Sequence, residues 1–177
     1  MTSLVVTLIG PDRPGLVSAI SDKATEHGAN WADSLMANFA GQFAGIVQLQ
    51  VPPQNYDALV AGLRALESPQ LHILIARGQD GKPAAATRRL QLELVGNDHP
   101  GIIHTISSQL AQHGVSIDKL QTSIASGAWS GEQMFRMNAQ LTVPLALDTD
   151  ELRSGLEGLA NELMVDISFD HDSAASA

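Results

Sequence analysis

The chain has 177 residues, 44% of them hydrophobic and 16% charged, with a formal net charge of -9 and no cysteine. These proportions describe a globular chain of one large or two small domains. The missing cysteine excludes disulfides, thiolate catalysis and thiolate metal sites, and the acidic balance argues against direct nucleic-acid binding, which draws its affinity from phosphate neutralisation.

The one basic cluster, Lys82, Arg88 and Arg89, is small. No run reaches the ~20 apolar residues of a membrane helix. The N-terminus enters a strand-like run without a basic segment or cleavage site, so the expectation is a cytoplasmic protein with no signal peptide and no membrane partner.

That first run, residues 4–9, is apolar on both faces: Leu4, Val6 and Leu8 against Val5 and Ile9. Such a strand predicts a cover on its second face. Gly10-Pro11-Asp12-Arg13-Pro14-Gly15 follows, and then Leu16, Ile20 and Ala24, four apart, predict a helix. Gly28 stands where a helix-ending glycine belongs, with His27 in the last turn. Residues 30–38 and 42–51 read as two strands, stopped by Pro52-Pro53. Asn55 is a plausible N-cap for a second helix with the stripe Leu59, Leu63 and Leu66. Residues 71–76 close the set as a strand.

The same grammar then repeats. Gly96-Asn97-Asp98-His99-Pro100-Gly101 restates the first motif 86 positions on (96 − 10), and His113-Gly114 restates His27-Gly28 at the same offset. Phe135, Leu141, Val143 and Pro144 match Phe43, Leu49, Val51 and Pro52 at an offset of 92 (135 − 43), which places about six extra residues near 126–131. In the strand 90–95, Leu90, Leu92 and Leu94 alternate with Gln91 and Glu93, the pattern of a half-buried strand. Ile102, Ile106 and Leu110 mark its helix. Strands 116–124 and 133–143 come next. Asp148 caps a helix with Leu152, Leu156 and Leu159, and 164–169 ends the copy. The order βαββαβ, twice, predicts an α+β fold of two ferredoxin-like modules in tandem: module 1 at 1–78, a linker at 79–88, module 2 at 89–170 and a flexible tail at 171–177. Modules of about 80 residues build modest cores, so packing between copies, as in a homodimer, is expected.

Gly-x-Asp-x-Pro-Gly at each strand-to-helix junction is the strongest motif. Gly10 and Gly96 would permit a tight turn. Asp12 and Asp98 would cap the helix, Pro14 and Pro100 would suit its first turn, and Gly15 and Gly101 would admit a close neighbour. Free N–H groups at a helix start attract a carboxylate, and a neighbouring aspartate attracts an ammonium. Together they offer handles for a zwitterionic amino acid. The same residues also make a well-formed turn with no ligand, and local chemistry does not choose between the two.

At these residues, and over roughly 3–76 and 89–169, the chain resembles the ACT domain family, whose modules sense small ligands, commonly amino acids. The tandem arrangement resembles the glycine cleavage system transcriptional repressor group. The resemblance implies ligand-binding positions at Asp12, Gly15, Leu16 and Asn30 in the first copy and Asp98, Gly101, Ile102 and Ser116 in the second, where Ser116 is a shorter side chain than Asn30. It implies a ligand held where the turn of one module faces a strand of another. It also implies a small amino acid, glycine or similar, as ligand and a DNA-binding regulator as protein partner.

None of the six histidines, His27, His72, His99, His104, His113 and His171, falls at a metal-binding spacing, and no cofactor motif is present. His99, or Arg13 at the matching place, could approach a ligand from within the turn. Trp31, Trp129, Met134 and Met137 read as packing residues. Three classes stay open: an amino-acid-responsive regulator of gene expression, a ligand-free interaction module of the same fold, and an enzyme, for which no motif speaks.

Overall fold

The computed structural model describes residues 1–78, 86–126 and 133–171. Most of the expected linker, the extra residues near 126–131 with Trp129, Lys82 and the end of the tail lie outside the described residues. Two compact units divide the chain, 1–82 and 83–177.

In module 1 the order is β1 (Thr2–Pro11), α1 (Leu16–Glu26), β2 (Asn30–Phe39), β3 (Gln42–Val51), α2 (Tyr56–Arg64) and β4 (His72–Arg77). Module 2 repeats it as β5 (Thr87–Asn97), α3 (Ile102–Gln112), β6 (Ser116–Ser126), β7 (Gln133–Pro144), α4 (Thr149–Leu163) and β8 (Val165–His171). Each sheet is antiparallel, ordered β2-β3-β1-β4 and β6-β7-β5-β8. The expected βαββαβ grammar is present twice. Both copies also carry a register shift at the same place, between Trp31 and Asp33 and between Ile117 and Lys119, 86 positions apart (117 − 31).

One face of each sheet is covered by the two helices of its module. Leu4, Val6 and Leu8 meet Leu16, Ile20, Ala24, Leu59 and Leu63 in the first core, and Leu90, Leu92 and Leu94 meet Ile102, Ile106, Leu110, Leu152 and Leu156 in the second. The four-residue helical spacing and the two-residue strand spacing thus converge on the same side. Leu66 and Leu159 are only partly buried, at the margins of their cores.

Several local expectations are corrected. The α1 and α3 N-caps are Gly15 and Gly101, with φ of 93° and 99° and no side-chain cap, so Asp12 and Asp98 do not cap and Pro14 and Pro100 precede the helices. The glycine roles are exchanged. Gly15 and Gly101 are needed for their left-handed backbone, and nothing lies within 4 Å of where their Cβ would be. Gly10 and Gly96 sit inside strands, where a Cβ would meet the Gln70 carbonyl oxygen at 2.6 Å and the Val165 Cα at 2.8 Å. Asn55 ends a 3-10 turn, Pro53–Asn55, and does stand at the N-cap position of α2, but its side chain makes no cap bond and its amide donates to the His27 carbonyl at 2.9 Å. Asp148 does cap α4, accepting from the Asp150 N–H at 2.9 Å, with Asp150 and Glu151 in the first turn. Met164 is the left-handed C-cap of α4, so β8 starts one residue later. β5 starts at Thr87, inside the stretch read as linker.

Candidate functional site

The turn between β1 and α1 lies against the β2–β3 hairpin. The Asp12 N–H donates to the Gly41 carbonyl at 2.9 Å, and the Asn38 amide donates to Asp12 Oδ2 at 2.6 Å. The aspartate therefore ties turn to hairpin and is itself exposed. The chain then passes through exposed Arg13 and Pro14 to the left-handed Gly15 and into α1 with buried Leu16. The first helical N–H groups receive no side-chain cap. Such groups carry a partial positive charge that favours an anion.

Beside this turn is a groove of about 130 Å³ lined by Arg13, Pro14, Gly15, Leu16, Ala19, Ile20, Leu66 and Leu71. It offers room for a ligand of a few heavy atoms. Its walls combine an apolar floor, a guanidinium and a helix start.

The second module builds the same turn differently. The Asp98 N–H donates to the Gln133 carbonyl at 2.8 Å, matching the Asp12 bond. His99 replaces Arg13, and its Nε2 lies 3.1 Å from the Leu163 carbonyl while Nδ1 lies 3.2 Å from the Pro100 carbonyl. The half-buried imidazole bridges the turn to the end of α4, so it is engaged structurally and not held out toward a ligand. Gly101 and buried Ile102 repeat the geometry of Gly15 and Leu16.

Asn30 and Ser116 lie elsewhere. Asn30 pairs with Gln50, which pairs with Ser3. Asp12 is nine positions further along β1, about 30 Å away at the rise of a strand. Ser116, through Thr142 and Arg89, stands in the same relation to Asp98. Asp12, Gly15 and Leu16 share one turn, as do Asp98, Gly101 and Ile102, but Gly15 and Leu16 line the groove while Asp12 faces the hairpin through Asn38, and within a module neither set meets its strand-start residue. The distance follows from parallel running of β1 and β2, which a linear reading does not reveal.

The basic cluster is partly consumed by the fold. Arg88 is half-buried and its guanidinium donates to the Leu147 carbonyl. Among the described residues no group of three or more histidine, aspartate or glutamate side chains could hold a metal. Nor is any described helix long and apolar enough to cross a membrane. Trp31 packs at the edge of the first core and Met137 is buried in the second.

Comparison with known proteins bears on the fold and its relatives. The family model described as the ACT domain matches residues 2–73, almost all of module 1. The chain is 25% identical over 166 residues to the glycine cleavage system transcriptional repressor of Escherichia coli, covering 90% of this chain and 85% of the repressor. It is 58% identical over 64 residues to a UPF0237 protein of Methanopyrus kandleri, covering 36% of this chain and 69% of that protein. A crystal structure of a protein of unknown function from Galdieria sulphuraria superposes with a TM-score of 0.80 at 29% identity, over 97% of this chain and 98% of that one. Module 1 thus carries the ACT domain family match along almost its whole length, and module 2 repeats its element order, so the chain is a tandem pair of ferredoxin-like modules.

Proposed function

We propose that this chain is an amino-acid-responsive regulator of gene expression, not an enzyme, which acts in the cytoplasm on a DNA-binding regulator and not on DNA itself. The observation that carries the reading is the similarity to the glycine cleavage repressor, which runs through both modules. The net charge of -9 and the internal use of Arg88 support a route through protein contacts.

The ligand site we propose is the module 1 turn. The uncapped start of α1 receives the carboxylate, Asp12 receives the ammonium, and the groove beside Gly15 and Leu16 limits the side chain. Glycine is the first candidate. Asp98, Gly101 and Ile102 form the weaker counterpart, because His99 already bridges that turn to α4. Asn30 and Ser116 cannot share a small ligand with the turn of their own module.

Thermal unfolding of the purified chain against a panel of amino acids tests this. A ligand that binds only the folded state stabilises it by about 2.7 kcal/mol at a hundredfold excess over Kd. A selective rise in midpoint with one small amino acid is expected, and Asp12→Ala should abolish it. A flat response to all of them at millimolar concentration would overturn the sensor reading. It would favour the second reading, a ligand-free interaction module, to which the smallness of the groove already lends some weight.

A further inference from the structure

The face of each sheet away from its helices can be followed row by row from the strand register. In module 1 the central row is Leu35–Ile46–Thr7–Leu74, and the next is Ala37–Ala44–Ile9–His72. Leu35, Ile46, Leu74 and Ile9 are 52%, 49%, 71% and 48% exposed, and Phe39, at the end of β2 on the same face, is 72% exposed. A contiguous apolar sheet face of this kind marks an interaction surface.

We infer that this face joins two copies of the chain through a two-fold, face-to-face sheet contact. Three observations select a second copy as the occupant. First, the central row and the Ile9 row carry no carboxylate, and the carboxylate on this face, Asp33, lies in the adjoining Asp33–Gln48–Val5–Ala76 row on edge strand β2, so two chains of net charge -9 can meet about Ile46 without carboxylates opposed at the axis. Second, the equivalent face of module 2 is polar. Its central row is Gln121–Asn138–Glu93–Ser168, followed by Ser123–Arg136–Val95–Asp166, so it offers no apolar complement. The surface on the page that does match the module 1 face is that face itself, which is the requirement of an isologous dimer. Third, the size is adequate. Three ten-residue strands and the six-residue β4, about 4.8 Å apart, present on the order of 550 Å² in projection, of the order of the ~800 Å² of accessible surface per partner in a standard interface. Ile46 and Thr7, paired on the two inner strands, lie at the centre of the face and so near the axis.

The inference does not rest on the ligand reading, and the two fail separately. Sedimentation equilibrium of the full chain at 1–100 μM, in roughly the range where weak and moderate dimers dissociate, should show a dimer. Ile46→Glu, which sets two carboxylates opposite one another, should give a monomer with an unchanged circular dichroism spectrum. Asn138→Glu, at the matching position of module 2, should leave the dimer intact. Should Ile46→Glu not fold, the cysteine-free background supplies a second test: Ile46→Cys should form an interchain disulfide on mild oxidation, and Asn138→Cys should not. A monomeric wild type, as expected if the face met its own chain's second module or another protein, would overturn the inference. So would a folded Ile46→Glu dimer, equal loss of the dimer with Asn138→Glu, or no cross-link through Ile46→Cys.

Discussion

The two modules share a core and differ at their surfaces. Leu8 and Leu94 occupy equivalent places, 86 positions apart, and both are buried against the helices. On the opposite face, Leu35, Ile46, Thr7 and Leu74 of module 1 become Gln121, Asn138, Glu93 and Ser168 of module 2. In module 2 the Asn138 amide donates to Glu93 Oε1 at 3.1 Å, and Asn138 Oδ1 accepts from the amide of Gln91 in the adjoining row. The turns differ too. Arg13 borders a groove where His99 spans to α4. A duplicated module must keep its helix-side pattern to fold, whereas its open face and its turns are free to diverge. The divergence here leaves module 1 with an apolar open face and a groove at its turn, and module 2 with a polar open face.

The largest expected effect tests the likeness of the cores. Leu8→Ala and Leu94→Ala each remove a fully buried side chain and should cost about 2–5 kcal/mol. Urea titration reads both, and a cost confined to one would break the equivalence. Next come the strand glycines. Gly10→Ala and Gly96→Ala force a methyl onto the Gln70 carbonyl and the Val165 backbone and should cost about 1–3 kcal/mol each, read as a lower denaturation midpoint. Helix starts sharpen the difference. Asp148→Ala loses an N-cap bond at about 0.5–2 kcal/mol. Asn55→Ala instead loses one amide bond to His27, at about 1 kcal/mol, through the α1–β2 turn and not through α2 helicity.

The smallest effect is electrostatic. Lys23, at 2.7 Å, holds the Glu26 carboxyl below its ordinary value. A carboxyl with a lowered folded value stabilises above its unfolded value, and that stabilisation fades as pH falls through the folded one. Because the pair is exposed, Glu26→Gln should leave the midpoint at pH 7 unchanged within reproducibility and slightly flatten its fall below pH 5, near the ordinary carboxylate range.

The periodic features were legible in the sequence. Four-residue helical stripes, alternating strands and the 86-residue repeat all report on a residue's own element, and the stripes are buried as read except at Leu66 and Leu159, which are partly buried. Features set by distant chain were not. Gly10 and Gly96 are glycine because Gln70 and Val165, some 60 to 70 residues away, approach them. Asp12 looks like a cap locally, but the helix starts after Gly15 and the Asp12 carboxylate turns to Asn38. The separation of Asp12 from Asn30 depends on strand direction, and His99 finds its partner on α4. The apolar second face was visible in Val5 and Ile9, whereas its extent over Leu35, Ile46 and Leu74 required the register.

The central claim is that module 1 senses an amino acid at its β1–α1 turn. Titration of the isotopically labelled chain with glycine, followed by amide NMR, tests it most directly. The account predicts saturable shifts concentrated at residues 12–18, with smaller ones or none at 98–104. Shifts centred on the second module's turn, or no shift with glycine, serine or alanine at millimolar concentration, would contradict it.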